Sequence, residues 1–320
     1  MKDLWGIRAT SMRVVVAFAI VLPRISSAQQ QQLSDPGFDA SVANPAYRFG
    51  AGPRVLFDEA HFNFHTANGR YKALADLLTN DGYRISPNRE RFSPQVLGSY
   101  DLLVIANALG AANMTDPAAA SAAFTTDEVE SVSEWVRGGG ALLFVTDHQP
   151  TGAAARNLAS QFGVGMSNAT TVDTTAGNHL DGYFESILEF TRANGRLRDH
   201  PIVDGRDSTE RVNRVVAFGG QSLAGPPSST CFLELGPAAF DLQMPSRQRT
   251  PAGGRCMGLA IRHGRGRVVV MGEAGMLSAQ LVTETAPNGK TTHPWGMNWP
   301  GLDNRQLALN IVRWLSGALK

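Results

Sequence analysis

Several apolar stretches of this sequence run directly into polar residues whose types could do chemistry. The first is "VLFDEAHFNFH" (55–65), in which three apolar residues precede an aspartate, a glutamate and two histidines. Comparable stretches are "YDLLVIANAL", "ALLFVTDHQP" and "RVVVMGEAG". The polar residues at their ends are Asp58, Glu59 and His61, then Asn107, then Asp147 and His148, and finally Glu273. A polar loop of random composition would not repeat this arrangement, so we predict that these residues form a site.

Carboxylates and imidazoles in this mixture suit two kinds of chemistry. Imidazole nitrogens and carboxylate oxygens bind zinc, manganese or another first-row divalent ion. The predicted metal ligands are Asp58, His61, Asp147 and His148. Glu59 or Glu273 would then be the general base that activates a metal-bound water. The alternative is general acid–base catalysis without a metal, in which a carboxylate orients a histidine.

A loop near the end of the chain, "HPWGMNWPGLDN" (293–304), places two tryptophans beside amide and carboxylate groups. Such a combination suits a sugar or another amphipathic ligand. The predicted substrate-binding residues are Asn107, Trp295, Asn298 and Trp299. The structural alternative is that the tryptophans fill a hydrophobic gap. Likewise, each strand-end acid could cap a helix instead of reacting, and His65 is interpreted as structural.

The elements that must position these residues alternate between strand and helix. "RVLFDEAH" is typical of a buried strand, and "NGRYKALADLLTNDGY" has the apolar spacing of a helix. "TTDEVESVSEWVRGGG" predicts a second helix, capped by Thr126 and ended by glycines. This order predicts an α/β fold with a mainly parallel sheet and helices on both faces. Because the carboxyl ends of parallel strands share one edge, residues far apart in sequence can meet there.

The second half of the chain is less regular. Residues 165–250 are rich in Gly, Pro, Ser and Thr and indicate a β-rich insertion, while "CMGLAIRHGRGRVVVMG" predicts a hairpin that turns at "HGRG". "NRQLALNIVRWLSGAL" predicts an amphipathic helix that docks on the sheet. Cys231 and Cys256 both lie in strand-like sequence, so a disulfide between them is predicted, with two buried thiols as the alternative.

The N-terminal region and the overall charge bear on location and partners. Residues 1–28 combine basic residues, the apolar core "VVVAFAIVL" and small residues ending at Ala28, which predicts a cleaved secretory signal peptide. The alternative is an uncleaved anchor. Residues 29–52 are interpreted as a linker or extended arm, and 53–320 as the folded domain. The net charge of +1 gives no indication of a nucleic-acid or membrane-surface partner.

Five blocks of the chain together carry a resemblance to a known family. In order, they are "RVLFDEAHFNFH", "YDLLVIANAL", "EWVRGGGALLFVTDHQPTGAAARNLASQFGV", "GRVVVMGEAGMLSAQ" and "GMNWPGLDNRQLALNIVRWLSG". They resemble the secreted bacterial proteins classed as domain of unknown function 4350, in the class I glutamine amidotransferase-like superfamily. The resemblance covers 55–320 and implies a flavodoxin-like, doubly wound sheet. It does not imply an activity, since that family has no well-defined reaction.

One departure from true amidotransferases matters for the chemistry. Those enzymes carry a nucleophilic cysteine on a sharp turn after a central strand, whereas the comparable turn here reads "VTDHQP". The usual glutaminase reaction is therefore not expected. The neighbouring trehalose-utilisation branch also lacks the cysteine and is linked to sugars and metals, which favours a metal or carbohydrate site by analogy.

The sequence thus predicts a secreted or periplasmic α/β protein, and three functions stay open. The first is a metal-assisted hydrolase with its site at the carboxyl ends of the strands. The second is a non-catalytic protein that binds a carbohydrate or a fragment of the cell envelope. The third is a structural domain of the envelope. The expected ligand is a small molecule or a carbohydrate, a divalent metal is the expected cofactor, and no nucleotide cofactor is expected.

Overall fold

The structure, a computed structural model, describes residues 30–286 and 289–320. The predicted signal peptide lies outside these residues. In chain order the strands are β1 (Gln30–Ser34), β2 (Arg54–Asp58), β3 (Arg84–Asn88), β4 (Leu102–Ala106), β5 (Ala141–Val145), β6 (Gly165–Met166), β7 (Thr170–Val172), β8 (Ile187–Thr191), β9 (Arg214–Phe218), β10 (Leu223–Ala224), β11 (Thr230–Glu234), β12 (Phe240–Gln243), β13 (Gln248–Pro251), β14 (Cys256–His263), β15 (Gly266–Met271), β16 (Ala279–Ala286) and β17 (Gly289–Gly296). The α-helices are α1 (Lys72–Asn80), α2 (Pro94–Leu97), α3 (Thr126–Arg137), α4 (Thr151–Ala154), α5 (Arg156–Gln161), α6 (Pro201–Asp204) and α7 (Asn304–Ser316). Short 3-10 helices span Pro117–Ala120 and Gly275–Leu277.

The main sheet of the described chain is mixed and has nine strands. Its parallel part has the spatial order β3, β2, β4, β5, β15. β14 then pairs antiparallel with β15, and β10, β11 and β6 extend the sheet beyond it. Smaller sheets are formed by β1, β16 and β17, by β13, β12 and β7, and by β8 and β9. The chain is therefore an α/β protein, and its insertion is rich in strands as predicted.

Four of the five parallel strands, β2, β4, β5 and β15, are buried on both faces, as their continuous apolar sequences predict, while the edge strand β3 is partly exposed. Along β4, Val104 packs in the core on one side of the sheet, while Leu103 and Ile105 pack in the core on the other side. Helices α1 and α7 contribute to the first core, and α3 and α5 contribute to the second. Packing on both faces holds the parallel strands in place, and so it fixes the positions of the polar residues that follow their carboxyl ends.

Three local predictions can be compared directly with the structure. The hairpin is confirmed, because β14 and β15 pair antiparallel on either side of the turn. The disulfide is also confirmed, since Cys231 and Cys256 are bonded and link β11 to β14. The predicted cap of α3 is wrong by one residue: Thr125, not Thr126, is the N-cap. Thr125 is the N-cap because it forms a capping box with Glu128. The backbone N–H of Glu128 donates to the Thr125 side chain, and the backbone N–H of Thr125 donates to the Glu128 carboxylate.

The described part of the predicted arm, residues 30–52, is docked on the rest of the protein. Its first residues form β1, which pairs antiparallel with β16, and β16 pairs with β17. We call these three strands the ribbon. Further along the arm, Phe38, Val42 and Tyr47 pack against the main core. In the described ranges no helix is both long and apolar enough to cross a bilayer.

Candidate functional site

A cavity of about 330 Å³ opens at the carboxyl ends of the parallel strands. Residues from the strand ends, from the loop after β2 and from the ribbon line it. Those used below are Gln32, Phe64, His65, Arg70, Asn107, Asp147, His148, Thr151, Glu273, Gln280 and Trp295. The volume is at the lower end of the range for small-molecule sites. Three strands predicted to end in functional residues therefore do deliver those residues to one cavity.

Asp147 and Glu273 are neighbours because of the strand register. Val145 of β5 pairs with Met271 of β15, and the two acids follow these partners by the same number of residues. The strands run parallel, so both side chains emerge beside each other at the sheet edge. Each side chain lines the cavity. The result is a pair of carboxyl groups in one small enclosure.

Glu273 is the more buried member of the pair, with 1% of its surface exposed. Its two carboxyl oxygens accept hydrogen bonds from the backbone N–H groups of Gly275 and Met276, at the start of a 3-10 helix. Burial and the neighbouring charge of Asp147 outweigh these donors and raise the pKa of Glu273 to about 8. At neutral pH the Glu273 side chain therefore carries a proton that it can donate.

Asp147 stays in contact with the cavity, because 20% of its side chain is exposed. Burial raises its pKa, while His148 and a hydrogen bond from Asn107 act in the opposite direction. The backbone around Asp147 is held firmly: its N–H donates to Thr151 Oγ1, and its carbonyl accepts from Thr151 Oγ1 and Gln221 Nε2 at 2.8 and 2.6 Å. Two neighbouring carboxyl groups in one cavity are typical of an acid–base site.

Asn107 and His65 are hydrogen-bonded to each other and line the same cavity as the two carboxyl groups. Asn107 has a φ of 49°, a left-handed conformation that asparagine tolerates better than most residues. Its Nδ2 lies 3.2 Å from Nδ1 of His65. Burial and the charge of Arg70 lower the pKa of His65 to about 3, so the ring is neutral. Because Nδ1 accepts from the amide, the ring carries its proton on Nε2. Oδ1 of Asn107 is buried and has no hydrogen-bond partner among the described residues.

The first predicted cluster is arranged differently from the others. His61 is buried with its Nδ1 2.9 Å from Oδ2 of Asp58 and its Nε2 2.8 Å from Oε1 of Glu128 in α3. Burial lowers the pKa of His61, but the hydrogen bonds and charges of Asp58 and Glu128 more than reverse this, so its pKa is raised. Burial alone would raise the pKa of Glu128, yet its hydrogen bonds and His61 lower it to about 2. Below pH 6.5 the cluster is therefore an imidazolium between two acidic side chains, and it joins the sheet edge to α3. None of the three residues lines the cavity.

The metal centre predicted from the sequence is not assembled in this structure. Asp58 and His61 belong to the buried bridge, whereas Asp147 and His148 lie at the cavity. Both ring nitrogens of His61 are already engaged, which leaves no free lone pair for a metal. Within residues 30–286 and 289–320, no three His, Cys, Asp or Glu side chains are grouped so that they could hold an ion. The side chains present do not fit the predicted metal.

Glu59 and the aromatic loop also differ from the predicted arrangement. Glu59 turns away from the cavity: its Oε1 accepts from the N–H of Ala67 at 3.1 Å. Trp295 does line the cavity and packs on Phe218, with ring centroids 4.5 Å apart. Asn298 instead ties the ribbon together, since its Nδ2 donates to Asp35 and to the carbonyl of Gln280. Trp299 does not line the cavity and packs on Phe218, with ring centroids 5.8 Å apart.

Three residues that line the cavity are not among the predicted site residues: His65, which was interpreted as structural, and Arg70 and Gln32. His65 and Arg70 lie in the loop between β2 and α1, and Gln32 comes from β1. The loop after β2 begins at the same sheet edge as the predicted site, and this was the available signal for His65 and Arg70. No such signal exists for Gln32, because nothing in the sequence shows that β1 pairs with β16.

The fold and the site together define an α/β protein with a carboxyl pair at the edge of its parallel strands. No family model matches the chain, and no curated protein does either. Among solved structures, the N-terminal domain of mmIFT52 is similar, with a TM-score of 0.57 and 15% identity over 82% of this chain and 97% of that one. At this identity the similarity concerns the fold alone.

Two bacterial structures show a weaker likeness. One is a ThuA-like protein from Bacteroides uniformis, with a TM-score of 0.41 and 13% identity over 88% of this chain and 95% of that one. The other is a ThuA-like protein from Parabacteroides merdae, with a TM-score of 0.40 and 11% identity over 83% and 90%. These scores are too low to support a conclusion about this chain.

Proposed function

We propose that the protein is a hydrolase that uses Asp147 and Glu273 as a general base and a general acid. The observation that carries the proposal is their position side by side in one enclosed cavity, delivered by adjacent parallel strands. Asp147 would remove a proton from the attacking water, and Glu273 would donate its proton to the leaving group. The proton taken up by Asp147 can then return to its neighbour Glu273 and restore the starting state.

Other groups in the cavity support this assignment. The neutral His65 can donate a hydrogen bond from Nε2, and Asn107 offers an oxygen that is unpaired among the described residues, so a polar substrate has directional partners. Trp295 supplies an apolar wall. The backbone bonds from Thr151 and Gln221 hold Asp147 in place before substrate arrives, which is the preorganisation that acid–base catalysis needs.

A substrate screen with a matched variant tests the proposal. The mature protein is assayed against chromogenic esters, amides, phosphate esters and glycosides, in parallel with Asp147→Asn. We expect turnover of at least one class by the wild type and a loss of roughly 100- to 10,000-fold in the variant, because the amide cannot accept the proton. Asp204→Asn, at the end of α6 and away from the cavity, is the control. Equal turnover by wild type and Asp147→Asn would contradict the proposal.

A second candidate function is the binding of a carbohydrate without catalysis. A neighbouring cavity of about 660 Å³ shares Gln32, His148, Phe218 and Trp295 with the first. Tyr183 and Phe184 also line it, and 80% of Phe184 is exposed. Such a platform suits the face of a sugar ring. Tight glycan binding by Asp147→Asn, with no turnover by the wild type, would favour this function.

Two broader assignments belong with this proposal. Counted along the chain, the parallel strands follow the order 2-1-3-4-5, which supports a doubly wound, flavodoxin-like sheet. The disulfide fits an oxidising compartment, which supports export to the periplasm or beyond. N-terminal sequencing of the exported protein tests the second point, with a start at Gln29 as the expected result.

A further inference from the structure

Arg70 is a cation in the cavity wall that has no anionic partner among the described residues. Its guanidinium lies over the ring of Phe64, 3.8 Å from the centroid. Its Nε is buried and has no hydrogen-bond partner among the described residues. Burial lowers the pKa of Arg70, and no described carboxylate forms an ion pair that would offset this cost. Arg313, by contrast, is fully buried and is paired with Asp81 and Glu210.

We infer that the ligand of the cavity carries an oxyanion that Arg70 binds, and that this oxyanion is a carboxylate. The inference rests on the proposed function for the identity of the site, and it adds the class of substrate. Arg70 lines the cavity and no described carboxylate pairs with it, so its guanidinium is available to bind two oxygens of the same group in a fork. Stacking on Phe64 fixes the plane of the guanidinium, so the fork is already oriented.

The rest of the cavity favours a carboxylate over a phosphate. Asp147 lies in the same 330 Å³ cavity, and its carboxylate charge disfavours a dianion more strongly than a monoanion. A planar carboxylate also needs less room than a tetrahedral phosphate. Oδ1 of Asn107 is buried and has no donor in the described part of the chain, so the ligand would also carry a hydroxyl or N–H group. The expected substrate is therefore a small carboxylate with a nearby donor.

Equilibrium titrations with simple anions test this inference without any turnover. Acetate, glycolate and inorganic phosphate are added to the mature protein near neutral pH, and tryptophan fluorescence and melting temperature are followed. Sodium chloride at matched ionic strength is the control for salt effects. We expect saturable binding of acetate, tighter binding of glycolate because of its hydroxyl, and weaker binding of phosphate. Binding of phosphate alone would retain the oxyanion site but overturn the carboxylate.

Variants at matched positions identify the residue responsible. Arg70→Gln is expected to weaken acetate binding roughly 10- to 100-fold, as the loss of charge-assisted hydrogen bonds implies. Arg70→Lys keeps the charge but not the fork, so an intermediate loss is expected, and it serves if the glutamine variant is poorly folded. Arg249→Gln is the control, because Arg249 also stacks on a phenylalanine but lies outside the cavity.

The outcomes separate this inference from the proposed hydrolysis. Acetate binding that depends on Arg70, in a protein with no turnover, would retain the anion site and refute the hydrolase. Turnover of neutral substrates at the same rate by the wild type and Arg70→Gln would retain the hydrolase and refute the anion site. Failure of every anion to bind the wild type, or equal binding by Arg70→Gln, would overturn the inference.

Discussion

Replacing Glu273 by glutamine is expected to lower kcat/KM of the proposed hydrolysis by roughly 100- to 10,000-fold, the usual contribution of a general acid. Glutamine keeps the size of the side chain and can accept at least one of the two backbone hydrogen bonds that Glu273 receives. It has no acidic proton to give to a leaving group. Initial rates of both proteins on the best substrate of the screen measure the effect, and retention of more than about a tenth of the activity would contradict the role.

The dependence of wild-type activity on pH is expected to show the titration of Glu273 and Asp147. Glu273 must be protonated to act as the acid, and its pKa is raised to about 8. Asp147 must be ionised to act as the base, and its pKa is also raised. Activity should therefore fall as the pH rises through about 8 and fall again at acid pH, as a property of the coupled pair. A profile that stays flat through the alkaline limb would rule out Glu273 as the acid.

Stability provides the control for the glutamine variant. The folded pKa of Glu273 lies above its ordinary value of 4.5, so its proton favours the folded state at low pH and this stability is lost as the pH rises through about 8. Glutamine cannot ionise. Between about 4.5 and 8, the free energy of unfolding of Glu273→Gln should therefore rise relative to that of the wild type. Urea unfolding at both limits measures this change and separates lost chemistry from a lost fold.

The second large effect is expected at His61, on stability. Replacing His61 by alanine leaves Asp58 and Glu128 buried without the cation between them. Breaking a buried charge pair by removing one partner costs about 3–5 kcal/mol. The expected result is a loss of this size in the free energy of unfolding, measured by urea denaturation near pH 5.5. A loss below about 1 kcal/mol would show that the bridge is not charged as described.

Arg91→Ala is the matched control, because it removes a different cation from the same carboxylate. Arg91 Nη1 lies 2.9 Å from Oε2 of Glu128, but 70% of the arginine side chain is exposed. Solvent screens such a pair, so a loss of less than about 1 kcal/mol is expected. Similar losses for Arg91→Ala and His61→Ala would contradict the argument from burial.

The pH dependence of the His61 effect follows from the two shifts. Glu128 has its pKa lowered to about 2 from 4.5, so its contribution is complete above 4.5 and is lost as the pH falls towards 2. His61 has its pKa raised from 6.5, so its contribution is complete below 6.5 and is lost as the pH rises through its folded value. The difference between wild type and His61→Ala should thus be largest between about 4.5 and 6.5. A difference that grows towards alkaline pH would contradict this.

The sequence could predict the convergence of Asn107, Asp147 and Glu273, because a general rule places the carboxyl ends of parallel strands together. It could not predict that His61 turns away from them. The partner that draws His61 away is Glu128, which in the sequence has a complete explanation as the acid of a helix cap. One carboxylate thus serves the cap and the bridge, and only the packing of α3 against the sheet edge shows the second role.

Arg70 illustrates a different limit. A single arginine in a polar loop carries no sequence pattern, and its significance lies in the partners that it lacks. Absent ion pairs become visible only when the positions of the surrounding carboxylates are known. The same holds for the ribbon, since Trp295 could be proposed from its residue type whereas Gln280, which lines the same cavity, could not.

The pairing of β1 with β16 has a consequence for how the protein folds. Gln32 lies opposite Val282, so one wall of the cavity closes only when the two ends of the domain meet. Contacts between such distant residues are late events, because the entropy of closing the loop is lost before they form. An intermediate with the parallel strands in place would already hold the carboxyl pair, but in an open cleft. Ligand affinity should therefore appear in the last kinetic phase of refolding, after the burial of the sheet.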